Sequence, residues 1–113
     1  MDELLKEAKE AYDHRLYAAA VVMSHAAVRF RLEGLLRKKS GPLKDLAEGA
    51  YRNGANIGVK ELGKLSWIRN RVEHEGYMPR KEEARWAVGT AERNLGALRS
   101  RGLLRQVLSW LSP

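Results

Sequence analysis

Cysteine is absent from the 113 residues, which removes a disulfide framework, a thiol nucleophile and a thiolate metal site together. There is no His-Glu-x-x-His, and no acids stand with histidines at ligand spacing, so the sequence calls for no metal and no cofactor. A serine nucleophile elbow is missing too. No apolar run reaches the length of a membrane span, and the opening Met1-Asp-Glu-Leu-Leu-Lys is acidic and amphipathic, unlike a secretory leader. A soluble, cytoplasmic protein with no membrane partner is the expectation. One glutamine and four asparagines are few, and arginine outnumbers lysine, a pattern that hints at a thermophilic source.

What the chain has in excess is positive charge. A formal net charge of +7 favours polyanionic partners such as RNA. The length suits a single domain with a real core but little room for a deep substrate cavity, so a binding cleft forms more naturally between two copies.

Helical periodicity runs through the whole chain. Residues 3–12 form an amphipathic cover helix with Leu4, Leu5, Ala8, Ala11 and Tyr12 on one side. Asp13 is placed to cap the next helix, and His14 falls in a solvated linker. From Leu16 to about Arg37 the chain is apolar most of the way round, as a central buried helix is. His25 interrupts it and reads as a core-edge histidine bonded to a carbonyl, with a catalytic use as the alternative. Arg37, Lys38 and Lys39 near the helix end are either a solvated terminus suited to the helix dipole or part of an RNA-facing surface.

Ser40-Gly41-Pro42 is a turn, and Pro42 opens a short helix over Leu43–Arg52 with Leu43, Leu46, Ala47 and Ala50 inward. The loop Asn53-Gly54-Ala-Asn-Ile-Gly58 lacks the strand and the Gly-Lys-Ser/Thr of a phosphate cradle and reads as a plain connection. A helix from Val59 follows, then another from Arg80 to about Ser100 whose inward face uses Ala84, Ala87, Val88, Ala91, Leu95 and Leu98. After Gly102 comes a short amphipathic segment. From Arg93 onward there are four arginines, Arg99 and Arg101 among them, and no acid, which makes either an RNA-facing edge or the rim of a docking surface.

The most chemically capable stretch is Leu65-Ser-Trp-Ile-Arg-Asn-Arg-Val-Glu-His-Glu-Gly76. Leu62, Leu65, Ile68 and Val72 recur at helical spacing, and Gly76 followed by Pro79 ends the helix. At about 100° per residue, Trp67, Asn70 and His74 lie within roughly 60° of one another, away from that stripe. Arg69 falls inside the stripe, where a guanidinium needs a partner or a task. Two readings stand: Arg69 pairs Glu73 one turn on as a structural arginine, or Arg69, Asn70 and His74 act on a phosphodiester. Histidine can move a proton, arginine can stabilise a phosphorane, and RNA supplies its own 2′-hydroxyl nucleophile. One histidine does not comfortably perform both proton transfers, which favours two copies meeting across a two-fold axis.

Thirteen arginines and three histidines would yield an Arg-x4-His pair in about one shuffled chain in three, so the spacing alone carries nothing. The fuller string Arg69-Asn70-x-Val72-x-His74-x-Gly76 resembles the R-N-x-V-x-H signature of HEPN domains. Ala27-Val-Arg29-Phe-Arg-Leu-Glu33-Gly-Leu-Leu36 is similar to an alanine-rich helix of that family, with its two charges exchanged; the swapped pair can still bridge.

The resemblance implies an all-α, single-domain bundle of four or five helices over 1–113, homodimeric, with the motif at the seam. It implies a metal-independent endoribonuclease of the toxin or defence type, with Arg69, Asn70 and His74 catalytic. Trp67 and Arg71 belong to the interface or RNA surface. The alternative it leaves open is a non-catalytic module that binds RNA or a nucleotide, or partners a minimal nucleotidyltransferase antitoxin.

Overall fold

The computed structural model describes residues 2–37 and 41–99, and every regular element among them is helical. Five helices follow in order: α1 (Glu3–Asp13), α2 (Tyr17–Leu36), α3 (Leu43–Arg52), α4 (Val59–Glu75) and α5 (Lys81–Ala97). The expectation of an all-helical chain with four or five helices is met among the described residues. The segment after Gly102, with Arg101 before it, lies outside the described residues, as do Lys38 and Lys39.

Helix α2 is the axis of the bundle and packs against each of the other four. Its composition explains this: with Ala20, Val21, Ala27, Val28 and Leu32 fully buried, it has no single polar face to give to water. Alanines at Ala20 and Ala27 allow neighbouring helix axes to come close. Around it, α1 supplies Leu5 and Ala8, α3 supplies Leu43, Leu46, Ala47 and Ala50, and α4 supplies Leu62, Leu65 and Ile68. Each buried leucine contributes about 1.5–3 kcal/mol relative to an exposed one. The inward face of α5 is as expected at Ala84, Ala87, Ala91, Leu95 and Leu98, with Val88 only partly covered.

The helix starts differ in chemistry. Asp2 caps α1, accepting a hydrogen bond from the Leu5 amide at 3.1 Å. Asp13 does not cap α2: it completes the last turn of α1, and α2 begins at Leu16 without a side-chain cap. The reversal is made instead by Arg15 at φ 61°, outside the usual helical and extended regions. At α5 the Glu83 carboxylate reaches back to the Arg80 amide at 3.0 Å, the reciprocal half of a capping box. Among the described residues no helix is long and apolar enough to cross a membrane.

Candidate functional site

The last two turns of α4 carry the motif. Asn70 and His74 are exposed and Arg69 is half-buried. The Arg69 guanidinium has a partner at each terminal nitrogen: Nη2 lies 2.9 Å from Glu73 Oε2, and Nη1 donates to Asn70 Oδ1 at 3.1 Å. The partner required for an arginine in the apolar stripe is therefore present, one helical turn away. His74 makes no hydrogen bond among the described residues, so its imidazole is open to solvent chemistry. Five residues apart on one helix, Arg69 and His74 are separated by about 140° around its axis. A single copy does not aim both at one phosphate.

Helix α4 ends where the sequence requires. Gly76 adopts φ 66°, and the Gly76 and Tyr77 amides both donate to the Arg71 carbonyl, that of Tyr77 at 3.1 Å, so a wide left-handed turn closes the helix. That turn folds Tyr77 back over its own helix. The Tyr77 ring lies 4.1 Å from Arg71 Cζ, which also stands 4.9 Å from the Trp67 ring. The Tyr77 hydroxyl donates to Glu83 Oε1 at 2.5 Å and thereby ties the motif helix to α5. This hydrogen bond to a carboxylate pushes the Tyr77 pKa up. Burial pushes Glu83 up, but the Arg80 amide, the Tyr77 hydroxyl and the Arg80 charge outweigh it and hold the carboxyl below its ordinary value. Trp67 is 57% exposed and Met78 74% exposed, so the surface beside the motif presents large apolar groups without cover.

Beneath Arg69 lies His25, which corrects the expectation of a core-edge residue bonded to a carbonyl. His25 is only 3% exposed, and its Nε2 has no hydrogen-bond partner; the Ser24 hydroxyl is likewise buried and unpaired. It sits in the middle of α2, one turn from the fully buried Val21 and Val28, and so faces the apolar core. Burial, then the positive charges of Arg69 and Arg29, lower its pKa from 6.5 to about 4. It is a neutral base held next to the motif arginine. The exchanged pair of α2 does bridge, with Arg29 Nε donating to Glu33 Oε2 at 3.1 Å.

The remaining surface calls divide. Arg37 is exposed at the end of α2 with φ 53°, and Arg99 is exposed just beyond α5. His14 is exposed as expected, its Nδ1 against the Glu10 carbonyl at 2.8 Å. Among the described residues no group of three metal-ligating side chains comes together.

Sequence reasoning gave Tyr77 no task; the signal was Gly76, whose left-handed turn returns the next side chain onto the helix. It also missed a groove at the opposite end of α4, where α3 and the 53–58 loop meet the helix start. No local spacing announces that groove, because it is assembled from three segments. Comparison with family models, with curated proteins and with solved structures finds no match, so the functional reading rests on these residues and their geometry.

Proposed function

We propose that this chain is a HEPN-type, metal-independent endoribonuclease that acts as a homodimer, with the ends of two α4 helices forming the site. The observation that carries the reading is the exposed cluster of Asn70 and His74 beside the Arg69 fork, flanked by the uncovered Trp67 and the stacked Arg71. Trp67 supplies the apolar anchor for the seam, and a second copy resolves the angular mismatch between Arg69 and His74.

In this mechanism His74 takes the proton of the ribose 2′-hydroxyl as the 2′-oxygen attacks phosphorus. Arg69 neutralises the charge that grows on the non-bridging oxygens, and Asn70 holds the phosphate. The bond from phosphorus to the 5′-oxygen breaks as the histidine of the other copy protonates that oxygen. The products are a 2′,3′-cyclic phosphate and a free 5′-hydroxyl.

One observation favours a second reading, an RNA-binding module that does not cut. The Arg69 fork is occupied by Glu73 rather than open, and Glu75 adds another acid beside His74. A minimal nucleotidyltransferase antitoxin is a partner consistent with either reading.

The test is cleavage of single-stranded RNA by the full chain in EDTA, with light scattering to weigh the assembly. Expected are a dimer at micromolar concentration, cyclic-phosphate ends, and resistance of RNA carrying 2′-deoxyribose at the scissile position. Cleavage that needs Mg²⁺ defeats the mechanism. Salt-dependent RNA binding without cleavage, with a log–log slope of about 0.7 per neutralised phosphate, selects the second reading.

A further inference from the structure

An open groove of about 800 Å³ lies between α3 and the start of α4. It lies at the far end of α4 from His74, roughly 20 Å along a helix that rises about 1.5 Å per residue. Its volume is in the range of small-ligand sites. Cations outnumber acids in its lining: Lys44, Arg52 and Lys60 border it, and none of the three makes an ion pair among the described residues.

Two acids also line the groove, and one of them is spent. Glu61 is held by Arg93 Nη2 at 2.9 Å and by Asn94 Nδ2 at 2.9 Å. Asn94, itself 2% exposed, donates to the Thr90 carbonyl and accepts from the Gly58 amide at 2.8 Å. This network fixes the groove wall. Gly58 is required by it, since a Cβ at that position would stand 2.4 Å from Glu61 Oε1. Glu48 alone is left to oppose three cations, so the groove attracts anions.

The rest of the lining is apolar and flat. Tyr51 is 60% exposed, an unusual position for a tyrosine ring with no aromatic neighbour in contact, and Ile57 forms apolar floor beside it. Lys44, Glu48, Tyr51 and Arg52 share one face of α3, at positions i, i+4, i+7 and i+8, so ring and cations face the groove together. A ring platform beside unpaired cations matches a ligand with a planar base and a phosphate.

We infer that this groove binds a nucleoside phosphate, with Tyr51 stacking on the base and Lys44, Arg52 and Lys60 receiving the phosphate. The ligand is either a free nucleotide or one unit of a strand. The inference stands apart from the ribonuclease reading, because none of these residues belongs to the motif end of α4.

The experiment titrates the full chain with 5′-AMP, adenosine and a labelled single-stranded RNA decamer, by calorimetry and anisotropy. AMP should bind at least tenfold more tightly than adenosine. Arg52→Glu and Lys60→Glu should each weaken AMP at least tenfold, Tyr51→Ala roughly tenfold, and Tyr51→Phe little. These side chains are exposed, and thermal melts will check that each variant is folded. A decamer that binds more tightly than AMP with the same residue dependence assigns the groove to a strand; AMP binding as tightly as the decamer assigns it to a free nucleotide. His74→Ala should leave AMP affinity unchanged, which separates this result from the fate of the nuclease reading. No AMP binding at millimolar concentration, equal binding of adenosine, or displacement by poly-glutamate with Tyr51 indifferent overturns the inference.

Discussion

The two ends of α4 were built by different means. At its C-terminal end every side chain of the candidate site comes from ten consecutive positions, Trp67 to Gly76, with Tyr77 returned by the turn. At its N-terminal end the groove draws on α3, a loop and the first turn of α4, with its wall fixed by Asn94 from α5, 36 residues beyond Gly58 in the chain. The first end offers a titratable side chain open to solvent; the second offers fixed charge, an aromatic ring and no histidine. The two proposals accordingly assign proton transfer to one end and electrostatic or stacking recognition to the other.

The sharpest way to break this division is His74→Ala. RNA cleavage should fall by about 10²–10⁴-fold if the imidazole transfers a proton, while the melting temperature stays near that of wild type because the side chain is exposed. Steady-state cleavage assays and circular dichroism read the two quantities. Equal cutting by the variant would move the chemistry elsewhere in the molecule.

Burial under the motif gives the next effect. His25 keeps a pKa of about 4 in the folded chain against 6.5 in the unfolded one, so below about pH 6.5 the unfolded chain takes up a proton that the native state refuses. Stability should therefore fall as pH drops from about 6.5 to about 4, by about 3 kcal/mol in all, and then level off in this contribution. Glu83, with its depressed pKa, adds its loss at lower pH, as its carboxylate is protonated. Urea titrations at stepped pH should show the decline in wild type, and His25→Leu should flatten the part above pH 5. A flat wild-type profile in that interval would mean that His25 is solvated.

Most of the frame was legible in the sequence because helical periodicity is local. The bounds of α3 follow from Pro42 and the apolar spacing to Ala50, and the end of α4 from Gly76. The Arg69–Glu73 pair, four residues apart, was equally readable. What periodicity supplies is a face, not what lies opposite. Nothing in the spacing of α2 says that His25 lies beneath Arg69, and nothing near Asn94 says that its amide fixes Gly58 and Glu61. Both depend on how α2 and α5 pack against α4.

A smaller effect isolates the turn that completes the motif end. At Gly76 no atom beyond the adjacent residues lies within 4 Å of an added Cβ, so Gly76→Ala meets no tertiary neighbour and costs only the strain of an L-residue at φ 66°. The expected loss is about 1 kcal/mol, a drop of roughly 4–8 °C in Tm. Fluorescence of Trp67 should report whether the Arg71–Tyr77 stack loosens with it. AMP binding at the other end of α4 should not move; if it does, the two ends are coupled through the helix.

The smallest effect bears on the choice between a catalytic and a structural Arg69. In the structure Glu73 holds the guanidinium at 2.9 Å, so RNA must displace a carboxylate before its phosphate can use the fork. A half-exposed pair of this kind contributes about 0.2–1 kcal/mol, and its removal by Glu73→Gln should raise RNA affinity by up to about fivefold. Removing any acid raises the net positive charge, which by itself strengthens RNA binding, so a matched control is needed. Glu75→Gln makes the same change in charge but frees Arg71 from a looser contact at 3.9 Å, away from the Arg69 fork. If Arg69 receives the phosphate, Glu73→Gln should exceed Glu75→Gln in both affinity and cleavage rate at equal ionic strength, and Arg69→Lys should lose the advantage because an ammonium has no planar fork. Equal responses from the two glutamines would leave only long-range charge, and Arg69 would then be the structural partner of Glu73.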